Sequence, residues 1–461
     1  MAPGSEQATL AEGQRTHPLT SVVLGLGWSA AALVGIVSTL FQNGGLDAWG
    51  VFGLPAAAAG GLVVGSIIGW LSWRFTTFVI DDGEARVDSG ILWKKSRRVP
   101  FERLQSVDIH EPLVARVFGL AELHLDSAGG SESRTTVRYL TLARSNELRA
   151  LLLRRAHAAT TGEVLAYDGP PGAAAPPPFE AQAIEVVAEV PPSRVVVGTL
   201  LSLDLAGAVI VAVGALVASI WFAAPVAALG GVVGAGFWAF QIVGRRVLDQ
   251  WGYRLSRVEH GLRIERGLLS RTSETVPFDR VQGVAVVEPI IWRQLGWRRV
   301  LVSVAGTAGK GDAKDQDQAA TVLPIADPQL AQRVVDLLVP GAMEEIADRR
   351  RSSGASWIFA PIGWRYRWIG VDDVAVVSRH GWITRRTSIV PHRKNQSVAV
   401  EQGPLQRRLG VASVAVHSPD GPVDVGGPHL ERAQAFAVAA EASRLSRTSA
   451  AQASMRSGSS S

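Results

Sequence analysis

Residues 90–119 read GILWKKSRRVPFERLQSVDIHEPLVARVFG, and the chain uses the skeleton of this stretch three times. Residues 267–296 read GLLSRTSETVPFDRVQGVAVVEPIIWRQLG and residues 381–410 read GWITRRTSIVPHRKNQSVAVEQGPLQRRLG, with no insertion in either. Each copy sets a Val-Pro pair (Val99-Pro100, Val276-Pro277, Val390-Pro391) at one fixed distance from its opening Gly. A Gln follows (Gln105, Gln282, Gln396), then a Val (Val107, Val284, Val398), and an Arg (Arg116, Arg293, Arg407) stands three before the closing Gly. Glu111, Glu288 and Gln402 fill one more equivalent position. So many shared offsets identify a single module used three times.

Around the first copy lie short pieces in which β-branched and aromatic residues alternate with polar ones, such as FTTFVID, AELHLDSAGG and TVRYLTLA. They read as antiparallel strands separated by Gly- and Asp-marked turns. Each module then closes on a helical pattern: SNELRALLLRRAHA from Ser145, DPQLAQRVVDLLV from Asp327 and PHLERAQAFAVAAEASRL from Pro428. Asp327-Pro328 is an N-cap followed by Pro at the first helical position.

Four apolar stretches flank the modules. Val22–Leu40 runs 19 residues without a charge, and Trp49–Trp73, Val195–Phe222 and Pro225–Val243 are comparably apolar. Such lengths match a hydrocarbon core of roughly 30 Å. They predict a multi-pass α-helical membrane protein with two transmembrane hairpins, four helices in all, carrying three β-rich domains that are each closed by a C-terminal helix. A cleaved signal peptide after Arg15 is the competing reading of the first stretch, opposed by its length and by the second apolar stretch close behind it. Arg15, Arg74, Arg194, Arg245 and Arg246 flank the outer ends of the hairpins. The positive-inside rule then sets the domains and both termini on the cytoplasmic side of the inner (plasma) membrane. The divisions are an N-terminal tail over 1–21, hairpin one over 22–73, a first β-rich domain over 74–158 and a Pro/Ala-rich linker over 159–194. Hairpin two follows over 195–243, a second domain over 244–341, a linker or surface segment over 342–364, a third domain over 365–445 and a disordered Ser-rich tail over 446–461.

The 461 residues include no Cys, which excludes disulfides, thiolate metal sites and a Cys nucleophile. A net charge of +5 points to anionic neighbours, and the 47% hydrophobic share with mean hydropathy of +0.17 reflects the apolar stretches. No groove-entering or base-stacking motif accompanies the charge, so nucleic acid is not an expected partner.

The pattern VP-x-x-x-x-Q-x-V followed by E-P-x-x-x-R-x-x-G, with strands, a terminal helix and flanking apolar hairpins, resembles the bacterial PH-domain, or membrane-flanked-domain, proteins of the YdbT type. The third copy departs from it where His392 replaces Phe101 and Phe278, and where Gly403 replaces Pro112 and Pro289. The resemblance implies a pleckstrin-homology-like module, a bent seven-stranded barrel plugged by a helix. Some members of that family are associated with resistance to membrane-active peptides.

Catalysis is not expected. The repeated Glu, Gln and Arg read as strand and turn grammar, with each Glu making a local ion pair to the Arg five residues on. The nine His residues form no metal-ligand spacing, although His110 and His124 could be cross-strand neighbours. AGTAGKGD at 305–312 lacks the residues of a phosphate loop, so no metal or cofactor is expected. Two features remain. The basic turn Lys94, Lys95, Arg97 and Arg98, with counterparts at Arg385 and Arg386 and a weaker one at Arg271, is the candidate site for a ligand or anionic lipid. Asp204 is the one charge within an apolar stretch, where burial in a bilayer costs about 2.5–3.5 kcal/mol. The functional expectation is a non-enzymatic protein whose domains bind membrane lipids, other membrane proteins or further copies of the chain, and scaffold an envelope or peptide-resistance assembly. The alternative is a transporter or exporter component built on the four membrane helices with Asp204 as its charge.

Overall fold

The structure is a computed structural model that describes residues 14–15, 48–75, 77–80, 83–89, 95–127, 134–161, 184–221, 225–305, 321–342, 346, 348–418 and 421–458. The chain divides into two compact units, one of residues 1–182 with 269–275, the other of 183–268 with 276–461. Lys94, the linker over 162–183, the loop over 306–320 and the apolar stretch Val22–Leu40 lie outside the described residues.

The first unit contains β1 (Gln14–Arg15), α1 (Ala48–Phe75), β2 (Thr77–Ile80), β3 (Glu84–Ser89) and β4 (Lys95–Pro100). It continues with β5 (Leu104–Glu111), α2 (Leu113–Val117), β6 (Leu120–Ser127), β7 (Arg134–Thr141) and α3 (Leu142–Thr161). Strands β1-β2-β3-β4 form one antiparallel sheet, and β5, β6 and β7 pair in sequence in another. Alternate residues of both sheets point inward: Ala85, Val87 and Val99 from one, Val107, Ile109, Leu123 and Leu125 from the other. Phe101 fills the middle, and Leu148 and Leu152, one helical turn apart on α3, close the core.

The second unit begins with β8 (Glu185–Val190), α4 (Pro192–Leu200), α5 (Leu203–Trp221), α6 (Pro225–Asp249), β9 (Tyr253–Val258) and β10 (Gly261–Arg266). The strand β11 (Arg271–Pro277) runs through the border of the two units. Then come β12 (Val281–Pro289), α7 (Ile290–Gln294), β13 (Arg298–Val304), β14 (Thr321–Ala326) and α8 (Pro328–Leu338). Asp327 caps α8 as its sequence suggests, accepting the Leu330 amide at 2.9 Å. The chain ends with β15 (Arg349–Arg351), β16 (Trp368–Val371), β17 (Ala375–His380), β18 (Thr384–Pro391), β19 (Ser397–Glu401), α9 (Pro404–Arg408), β20 (Val411–His417), β21 (Val425–Glu431) and α10 (Arg432–Gly458).

A strand order of β14-β13-β12-β18-β17-β16-β15 shows that the last three strands of the second module and the first four of the third form one seven-stranded sheet. β19, β20 and β21 form a separate sheet. Within the second unit, then, the three-strand piece of the second module joins the four-strand piece of the third. β12 shows why this is stable. Its Val284 and Val286 enter a core with Trp368, Val377 and Ile389, while Ala285 and Val287 enter another with Ile369, Val376 and Val390. A strand covered on both faces needs a continuous apolar run, and VAVV provides it.

The four-helix membrane architecture expected from hydropathy is corrected by this structure. Among the described residues no single helix is long and apolar enough to cross a membrane, and the architecture is dominated by four sheets. The stretch Val195–Phe222 is broken: α4 and α5 meet at a 41° bend and pass the length and apolarity test only as a pair. The physical reason lies in α4. Val195 is fully buried, Trp292 donates its indole N–H to the Gly198 carbonyl at 3.1 Å, and a Cβ at Gly198 would lie 2.1 Å from the Ile325 methyl. The apolar residues at the start of this stretch are therefore spent on the second module's own core. Trp49–Trp73 lies within the helix α1 (Ala48–Phe75).

Candidate functional site: the joint between modules and its basic residues

The repeated residues first build a local turn. Pro100, Pro277 and Pro391 each open a three-residue 3-10 turn, and Phe101, Phe278 and His392 donate their amides to Gly83, His260 and Val374 at 3.1, 3.1 and 3.0 Å. Pro112, Pro289 and Gly403 then start the short helices α2, α7 and α9. Gly119, Gly296 and Gly410 end them at φ of +66°, +69° and +67°, a left-handed conformation in which any side chain is strained.

The same residues also make a long-range joint. In the first unit Arg271, Thr272 and Ser273 of β11 pair antiparallel with Glu111, His110 and Ile109 of β5. In the second, β18 pairs with β12 from Ile389 opposite Val284 to Thr384 opposite Pro289, with Arg385 opposite Glu288. Counted from the opening glycines these are equivalent positions, so one register is used twice. Glu288, with 9% of its side chain exposed, accepts Arg298 Nε at 2.7 Å and Arg385 at 3.3 Å. The ion pair that the spacing suggests, Glu288 with Arg293, gives way to partners on neighbouring strands. Arg293 instead donates to the Trp382 carbonyl at 2.9 Å, in the turn that leads into β18. Burial, reinforced by Arg385 and opposed by Glu288, holds its guanidinium below the ordinary value. Lys394 reaches across to the Asp279 carbonyl, joining the two 3-10 turns. In the first unit His110 bonds Ser270 and Thr272 at 3.0 and 3.1 Å, and its ring lies 5.6 Å from that of His124.

The structure separates the basic residues singled out in the sequence. Arg385 belongs to the joint, and Arg386 donates to the Pro422 carbonyl. Arg97 and Arg98, on β4, are exposed, with Arg98 3.6 Å from Glu84; Lys95 starts the same strand. Arg271, the weaker counterpart, sits opposite Glu111. Asp204 lies in the first turn of α5 and pairs with Arg246 in the last turn of α6. Both charges complement their helix ends, so the pair ties the two helices together. Among the described residues no three His, Asp or Glu side chains are placed to hold a metal ion.

His380 stands where β17 meets Arg386 of β18. Burial, with Arg386 and Arg367, pushes its imidazole below the ordinary 6.5, while Asp424 opposes the shift. His429, stacked on Phe359 at 4.2 Å, moves the same way through burial and Arg367. A folded-state value below the unfolded one makes the unfolded chain bind more protons between the two. Stability is thus full above about pH 6.5 and falls as pH drops toward the folded values. His380→Asn should lose less unfolding free energy than the parent chain when denaturant titrations at about pH 7 and about pH 5 are compared.

The family model of the Bacterial PH domain matches residues 19–156, 195–340 and 338–446, the three modules, the first two with their preceding apolar segments. The transmembrane protein YdbT of Bacillus subtilis (strain 168) is 24% identical over 292 residues, covering 57% of this chain and 55% of that protein. The match therefore spans about half the length of that relative. No solved structure matches.

Proposed function

Because the chain belongs to the bacterial PH-domain family, we propose that it is a membrane-associated, non-enzymatic protein. Its first module binds anionic lipid headgroups through Lys94, Lys95, Arg97 and Arg98, and its joined modules form a scaffold on the cytoplasmic side of the inner membrane. The observation that carries this reading is the different fate of equivalent basic turns. Arg385 and Arg386 are half-buried, Arg385 on Glu288 and Arg386 on the Pro422 carbonyl, whereas Arg97 and Arg98 reach the surface, Arg98 3.6 Å from Glu84. The transmembrane name of the related YdbT supports membrane association. The tie between Asp204 and Arg246 favours a structural role for that carboxylate over transport.

Each basic side chain beside an anionic leaflet contributes about 1 kcal/mol, so four contribute roughly 4 kcal/mol. The full chain, held in nanodiscs of neutral phosphatidylcholine, should co-float with separate vesicles containing phosphatidylglycerol and release them as salt is raised. Replacing Lys94, Lys95, Arg97 and Arg98 by Ala should abolish co-flotation. Binding that survives the replacement would sink the lipid reading.

A further inference from the structure

Among the described residues, two strands equivalent to those of the joint stand at the ends of their sheets. The four-strand half contributed by β11 and β18 corresponds in the first module to β4, which stands at the end of the order β1-β2-β3-β4. The three-strand half contributed by β5 and β12 corresponds in the third module to β19, at the end of the order β19-β20-β21. Exposure agrees with this placement. Val284, Ala285, Val286 and Val287 of β12 are all buried, whereas the equivalent part of β19 has Val398, Ala399 and Val400 half-buried and Glu401 exposed. On β4, Ser96, Arg97 and Arg98 are exposed.

We propose that β19 of one chain pairs with β4 of a second copy, in the register already used twice within the chain. That register sets Glu401 opposite Lys95 and Val400 opposite Ser96. Both internal joints place a carboxylate opposite an arginine, Glu111 with Arg271 and Glu288 with Arg385. In the third copy the equivalent Gln402 donates to the Val411 carbonyl at 2.9 Å, and the carboxylate stands one residue earlier, at Glu401. Lysine on an exposed edge discourages pairing with an uncharged strand and accepts one that brings a carboxylate. The backbone ladder supplies the affinity, as in strand addition generally. A head-to-tail contact of this kind uses different surfaces on the two chains, so it propagates into a ring or an open chain. In the paired state Lys95 faces Glu401 and the Arg97 and Arg98 side chains remain for lipid, whereas in the unpaired chain Lys95 serves lipid with them.

The chain contains no Cys, so an introduced pair reports without background. Directly opposed residues of an antiparallel ladder lie about 4.5–5.5 Å apart at Cα, within disulfide reach. Full-length Ser96→Cys and Val400→Cys chains are purified separately in neutral detergent, mixed and oxidised. The expected result is a two-chain disulfide species in the mixture and none in either preparation alone. No crosslink in the mixture, or equal crosslinking in the separate preparations, would overturn the proposal. Glu401→Lys on the Val400→Cys chain should lose the crosslink, and Lys95→Glu on the Ser96→Cys chain should restore it. Loss without restoration also counts against the pairing. No anionic lipid is present in this experiment, so its failure leaves the vesicle result standing and the reverse.

Discussion

Glu288→Ala is expected to destabilise the second unit by about 3 kcal/mol, toward the lower end of the roughly 3–5 kcal/mol lost when one partner of a buried ion pair is removed. The carboxylate side chain is 9% exposed and accepts from two guanidinium groups, Arg298 and Arg385, which are 24% and 31% exposed. Without it two arginines face each other, with Arg293 a third nearby cation, and partial solvent access keeps the cost from rising further. Urea unfolding of the full chain checks this. Glu401→Ala, at an exposed carboxylate of the same motif, should stay within about 0.5 kcal/mol of the parent in the same assay.

Trp292→Ala is expected to cost about 3–5 kcal/mol, the range for a large aromatic removed from a core. The side chain is 2% exposed, packs edge-on to Trp297 at 6.4 Å and lies 5.1 Å beneath the Arg299 guanidinium. It also donates to the Gly198 carbonyl, so the loss reaches α4 as well as the sheet. Amide hydrogen exchange should show α4 losing protection before the strands. Trp292→Phe, which keeps much of the volume and drops the hydrogen bond, should cost about 1–2 kcal/mol. Equal losses from both substitutions would mean that packing around the ring carries little.

Much of the module was legible because its signals are local. The Val-Pro pair and the glycines read as strand and turn grammar, which the structure makes a strand end with a 3-10 turn and a left-handed residue, and Asp327-Pro328 marks a helix start; each depends on residues a few positions away. The joint was not legible for the opposite reason. Glu288 and Arg385 lie 97 residues apart, and sequence spacing suggested the nearer Arg293. A hint was present in the departures of the third copy: the position that carries Glu111 and Glu288 becomes Gln402, on a strand that stands at the end of its sheet among the described residues. The apolar stretch at Val195 misled for a related cause. Hydropathy measures how strongly residues avoid water, and Val195 satisfies that avoidance against the second module's core as well as lipid would. The basic turns were visible as charge. Which of them is engaged by a neighbouring strand depends on topology.

The repeated skeleton acts as a joint only if Glu288 and Arg385 stabilise the fold through each other, and a double-mutant cycle measures that dependence. Glu288→Gln, Arg385→Gln and the double variant, unfolded in urea alongside the parent, should give a coupling energy of about 1 kcal/mol or more, as for residues in direct contact. Additive costs, with coupling near zero, would contradict the joint.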